Sequence, residues 1–153
     1  MNKFIPLLLG SLMLLGAVSC DNAAKTSADA PGNTSESPMV PNAGSAEKTK
    51  NDAMSDTRKA QVESDIRARE QRNDMTGGDA VRDNADLQSQ VRGKLETNIP
   101  ASQLTVDAKD GAVTIAGTVS NQSQLAKIEP LAMQIKGVKS VVNKAAVATA
   151  KPN

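Results

Sequence analysis

The C-terminal half of this chain predicts a small α+β domain with its elements in the order α-β-β-α-β. Three observations predict it. Leu87, Val91 and Leu95 recur every four residues, as on one face of a helix. Leu104, Val106 and Ala108, then Val113, Ile115 and Val119, alternate with polar or small neighbours on either side of Asp110-Gly111, the pattern of two strands and a tight turn. Leu125, Ile128, Ala132 and Ile135 form a second helical stripe, and a valine-rich stretch from Val138 to Val147 follows it.

The segments before that domain differ in character. Asn2 and Lys3 open residues 1–19, Phe4 to Val18 is almost wholly apolar, and Ala17, Val18 and Ser19 are small residues before Cys20. A basic start, a short apolar run and a small-residue cut site make an export signal. With Cys20 directly after it, this segment resembles the lipobox of bacterial lipoproteins. In that family the signal is cleaved before the cysteine and the thiol takes a diacylglycerol. The resemblance implies a membrane anchor at Cys20, the only cysteine in the chain. The alternative is cleavage by an ordinary signal peptidase. A retained span is disfavoured, because a membrane helix needs ~20 apolar residues. Asp21 resembles an inner-membrane retention signal of some enterobacterial lipoproteins, a rule that leaves inner against outer membrane open.

Residues 20–46 are Ala, Ser, Thr, Asn, Gly and Pro with isolated charges and no apolar periodicity. Such a stretch buries too little surface to offset its chain entropy. It is expected as a lipid anchor followed by a disordered stalk, with a reach of roughly 25–30 Å. In residues 47–76 charges of both signs alternate, and Glu63–Arg67 and Asp65–Arg69 are acid-before-base pairs four apart. A charged linker helix is expected, with Ser55 as a cap. It reads either as a solvent-exposed extension of the stalk or as an amphipathic helix lying on a membrane or partner.

Within residues 79–148 the first helix is expected from Asp79 to Thr97, capped by Asp83, Asn84 or Asp86. Gly93 weakens it by up to ~1 kcal/mol relative to Ala. Asn98-Ile99-Pro100 ends it, since the residue before proline avoids the helical region. Asp110-Gly111 supplies the positive φ angles that a type I′ hairpin needs. The second helix is expected from Asn121 to Lys136, capped by Ser120, kinked or split at Pro130 and ended by Gly137. Gly117 is expected where a strand bends or a backbone approaches closely, and Asn143 where a side chain bonds neighbouring backbone.

The segments Asp110-Gly111-Ala112-Val113-Thr114-Ile115-Ala116-Gly117-Thr118-Val119 and Gly137-Val138-Lys139-Ser140-Val141-Val142-Asn143 resemble the BON domain, whose pattern is an aspartate-glycine turn, a glycine-bearing strand and a later Gly-Val-x-x-Val-x-Asn strand. Leu104-Thr105-Val106 is similar to its first strand. The resemblance implies a small α+β fold in which Asp110, Gly111, Gly117, Gly137 and Asn143 determine structure. It also implies an envelope protein concerned with osmotic stress and phospholipid surfaces.

Composition narrows the chemistry. The chain has no His, Trp or Tyr and a net charge of +1. The usual general base and metal ligand is therefore missing, as are stacking platforms for single-stranded nucleic acid. No phosphate loop, catalytic residue, metal site or cofactor is expected, nor a nucleic-acid partner. Lys127, Lys136, Lys139 and Lys144 read either as contacts for anionic phospholipid or as ordinary solubilising charges. The expected function is that of a membrane-anchored, non-enzymatic envelope lipoprotein. The alternative is a scaffold that docks an envelope protein partner through the edge formed by Val138 to Val147.

Overall fold

The computed structural model describes residues 23–77 and 82–148. Among them the elements run β1 (Ala24–Lys25), α1 (Ala43–Met54), α2 (Asp56–Thr76), α3 (Asn84–Asn98), β2 (Gln103–Lys109), β3 (Ala112–Val119), α4 (Gln122–Ala132) and β4 (Ser140–Val147). The signal segment 1–19, Cys20 and the expected helix start at Asp79 lie outside the described residues.

Asp110 (φ 54°) and Gly111 (φ 90°) both adopt the left-handed backbone that a two-residue hairpin turn requires. The turn fixes the register of β2 on β3, setting Ala108 opposite Val113, Val106 opposite Ile115 and Leu104 opposite Gly117. Alternate residues share a sheet face. Leu104, Val106, Ala108, Val113, Ile115 and Val119 therefore line one face. Leu87, Val91 and Leu95 of α3, Ile128 and Ala132 of α4, and Ile135 cover it. All of these side chains are at most 4% exposed. Each buried Val, Leu or Ile contributes ~1.5–3 kcal/mol relative to exposure.

The four strands form one sheet in the order β1-β2-β3-β4. β1–β2 and β2–β3 are antiparallel, while β3–β4 is parallel and joined by α4 as the crossover. Gly117 has φ 123°, and a Cβ there would overlap the carbonyl oxygen of Gln103 on the neighbouring strand. The motif glycine thus marks a close backbone approach within the β2–β3 pair.

The α3 cap falls on one of the expected residues, while both boundaries of α4 differ from expectation. α3 is capped by Asp83, whose side chain accepts from the backbone N–H groups of Ala85 (2.8 Å) and Asp86 (3.3 Å). The α4 cap is Asn121 rather than Ser120, because Asn121 Oδ1 accepts from Gln124 N at 2.9 Å. α4 stops at Ala132, two residues after Pro130, and not at Lys136. Pro130 has no N–H to give Ala126, so the helix loses one rung in its last turn.

The larger difference precedes the domain. Residues 23–31 do not extend as an open stalk but pack along the sheet. Ala24 and Lys25 pair with Val106 and Thr105. Thr26 N donates to Leu104 O at 2.8 Å, and Thr26 Oγ1 donates to Ser102 O (3.0 Å) and accepts from Leu104 N (2.9 Å). Thr105 Oγ1 donates to Pro31 O at 2.6 Å, and Ala30 and Pro31 are buried. The outer edge of β2 offers backbone donors and acceptors to any chain that can pair, whatever its side chains. A lack of periodicity therefore did not exclude this strand.

The charged segment forms two helices, divided at Ser55. α1 begins at Ala43, inside the stretch expected as stalk, because Asn42 Oδ1 accepts from Ser45 N at 2.7 Å. Ser55 stands at the N-cap of α2 without a side-chain capping bond. α2 packs on α3 and buries Val62. Arg69 pairs with Asp86 of α3 rather than with Asp65 on its own helix. Glu63 and Arg67 stay exposed and 4.0 Å apart.

Candidate functional site

The chain directions gather several elements at one end of the molecule. β2 runs into the Asp110–Gly111 turn and β3 leaves it. β4 starts beside it, since Lys139 N donates to Gly111 O at 2.8 Å. α3 also starts there, with Asn84 Oδ1 accepting from Asp110 N at 2.9 Å. The two motif segments read from the sequence thus meet in space. Gly137 (φ 91°) sits against Arg82, where a Cβ would lie 2.5 Å from the arginine Cδ.

Two of the four lysines read as lipid contacts belong to this end. Lys139 Nζ donates to Asp110 O at 3.3 Å, and Lys136 Nζ lies 3.9 Å from Asp74 of α2. Lys127 projects from the middle of α4. Lys144 aligns with Ala116 across β4–β3, which places it on the sheet face opposite the helices. The structure therefore places Lys136 and Lys139 at the hairpin end with different partners, Asp74 of α2 and the Asp110 carbonyl, and sets Lys127 and Lys144 elsewhere. Lys109, exposed at the last position of β2, lies at the hairpin end as well, but alternation with the core-facing Ala108 puts it on the sheet face opposite the helices, the face of Lys144. Its position directly before Asp110-Gly111 was the available signal for it. Met75, 87% exposed, follows Asp74 at the same end.

β4 forms the other sheet edge. Ala148 N donates to Val119 O at 2.9 Å. Alternation along the strand then turns the N–H groups of Val142, Lys144 and Ala146 toward β3 and those of Val141, Asn143, Ala145 and Val147 outward. Asn143 Oδ1 accepts the outward N–H of Ala145 at 3.0 Å, the backbone bond expected of it. Val142 and Val147 are 48% and 43% exposed. An open groove of about 470 Å³ lies between α4 and β4, lined by Leu125, Pro130, Met133 and Asn143 among others.

Among the described residues no group of three His, Cys, Asp or Glu side chains converges as a metal site, and no helix is long and apolar enough to cross a membrane. A second open groove, about 810 Å³, lies between residues 26–29, α1 and α2, with Asp29, Asp52 and Glu96 mixed with Lys48 and Arg58 in its wall.

Comparison with known proteins places these features. A stretch of 57 residues is 37% identical to the osmotically-inducible protein Y of Escherichia coli (strain K12). It covers 36% of this chain and 28% of that protein, so the chain spans under a third of its relative's length. No solved structure matches the chain significantly. The BON domain family model matches residues 83–149, the stretch that holds α3, β2, β3, α4 and β4. Residues 83–149 of this chain are a BON domain.

Proposed function

We propose that this chain is a non-enzymatic envelope protein of osmotic stress, tethered to a membrane through a lipidated Cys20, whose BON domain associates with anionic phospholipid. The observation that carries the proposal is the BON domain at residues 83–149, together with likeness to a relative named for osmotic induction. The placement of Lys109, Lys136 and Lys139 toward the hairpin end supports the lipid reading, since each basic side chain near an anionic surface contributes ~1 kcal/mol. The lipobox-like segment before Cys20 supports the tether.

The test is vesicle flotation of the chain from residue 20 onward, with Cys20→Ser to remove acylation. The expected result is binding to anionic vesicles at low salt, loss of binding at high salt, and none to neutral vesicles. Absence of binding in every condition would reject a lipid-reading domain.

A second reading, docking of an envelope protein partner, draws on β4. Its outer edge carries backbone groups and the exposed Val142 and Val147, and an extended segment of a partner adds to such an edge. Cross-linking in cells from position 142 would then yield one recurrent protein adduct.

A further inference from the structure

α2 and α3 lie antiparallel along one seam. Arg58 pairs with Glu96, Val62 sits against Gly93 and Arg69 pairs with Asp86, so contacts that advance along α2 recede along α3. The seam holds little apolar surface. Val62 is the one residue that α2 buries, and Ile66, a turn further on, is half-buried. Attraction across the seam therefore leans on the two ion pairs. The side chains of Arg58 and Arg69 are 38% and 30% exposed, within reach of screening by salt.

Two features lower the cost of parting the helices. Gln90 of α3 is fully buried, and neither atom of its amide has a hydrogen-bond partner among the described residues. The space beside it, lined by Val62, Ile66, Arg69 and Gly93, measures about 10 Å³, the lower limit for a single water. A buried unpaired amide is costly and regains water when the helices separate. The charged groups also have substitutes. Released from Asp86, Arg69 meets Asp65 four residues back on its own helix. Released from Arg58, Glu96 keeps Arg92 at 2.6 Å.

We infer that α2 is a clasp that ionic strength releases: docked on α3 at low salt, and parting from it as salt screens Arg58–Glu96 and Arg69–Asp86, while the BON domain beneath stays folded. The release needs neither the lipidation nor the lipid contact proposed above.

The experiment follows backbone amide exchange by NMR in the full chain, held in micelles of an uncharged detergent. Sodium chloride is raised from about 10 mM to about 1 M, over which the Debye length falls from roughly 30 Å to 3 Å. A helix that has lost its packing opens its amides to solvent. Exchange at Val62 and Ile66 is expected to quicken about tenfold, a change equal to about 1.4 kcal/mol and within the range of two partly exposed pairs. The amides of Val113 and Ile115 in β3 should keep their protection, and sucrose at matched osmolality should leave α2 unchanged. Gln90→Leu, which removes the unpaired amide, should slow exchange at Val62 and Ile66 at both salt concentrations. Arg69→Gln should quicken it at low salt and weaken the response to salt. Exchange on α2 that is indifferent to salt overturns the clasp, as does a rise shared by Val113 and Ile115. A rise that sucrose reproduces, or a full salt response in Arg69→Gln, overturns screening as the cause. Unchanged or faster exchange in Gln90→Leu overturns the part given to the buried amide.

Discussion

Val62 of α2 occupies the space that a side chain on Gly93 of α3 would need: a Cβ built on Gly93 would lie 2.8 Å from Val62 Cγ1. The glycine that weakens α3 as an isolated helix is thus the place where α2 crosses it. Gly93→Ala gains up to ~1 kcal/mol of helix propensity but meets a β-branched side chain that is stiff at χ1. In the full chain the substitution is expected to be neutral or destabilising. In a Val62→Ala background it is expected to stabilise, with a coupling of about 1 kcal/mol. Urea unfolding of the four variants gives that coupling directly. Additive effects would mean that α2 does not dock at Gly93.

Glu96 of α3 ties α2 down electrostatically. Its carboxylate accepts from Arg58 Nε (2.5 Å) and Nη2 (3.1 Å) and from Arg92 Nη1 (2.6 Å), and its side chain is 7% exposed. Glu96→Gln keeps the shape and removes the charge. The expected cost is about 1–2 kcal/mol at low salt, smaller at high salt because Arg58 is 38% exposed and screened. The hydrogen bond to Glu96 raises the Arg58 guanidinium above its ordinary range. A raised cationic pKa contributes stability that is present below the unfolded value and lost only above it. The Arg58 contribution is therefore constant through neutral pH. Denaturation in low and high sodium chloride checks the salt effect, and unfolding at pH 6 and pH 8 should show no change through Arg58.

Thr26 tests whether residues 23–31 pack on the sheet. Thr26→Val keeps the volume but leaves the Leu104 N–H, which now donates to Thr26 Oγ1, buried without a partner. Such a loss costs about 1–3 kcal/mol. Hydrogen exchange at the Leu104 amide should speed up accordingly. An open stalk would give no change in exchange or in stability.

How far the sequence disclosed this structure depends on what kind of contact each feature uses. The hairpin was legible because Asp110-Gly111 permits few conformations, and its register then follows from alternation of Val106 with Ile115 and Ala108 with Val113. The packing of residues 23–31 was not, because backbone pairing and one threonine hydroxyl hold it and neither leaves a periodic trace. The docking of α2 was hidden for a related reason. Arg58 and Arg69 each had acidic neighbours along their own helix, and only the fold shows that they reach Glu96 and Asp86 instead. Gln90, fully buried on α3, has no hydrogen-bond partner for its amide among the described residues, and nothing in its neighbours announced that cost. Among the lysines, position along the chain concealed position in space. Lys109 and Lys144 lie on the side of the sheet opposite α4, whereas Lys136 stands beside Asp74 of α2.

Asn143 bears on whether β4 pairs with another chain. By alternation, the N–H groups of Val141, Asn143, Ala145 and Val147 point away from β3, and that of Ala145 is taken by Asn143 Oδ1 at 3.0 Å. A side chain that occupies an edge donor blunts the edge as a template for a second strand. Asn143→Val removes the acceptor and adds a β-branched residue of high strand propensity. The monomer should lose little stability, because the Ala145 N–H faces water on release. Self-association should rise with concentration, and light scattering across a dilution series would record it. The weight-average mass should fall again on adding Ala145→Pro, since proline has no N–H to offer a neighbouring strand. A variant that stays monomeric at every concentration would show that Lys139, Lys144 and the twist of the sheet already protect the edge without Asn143.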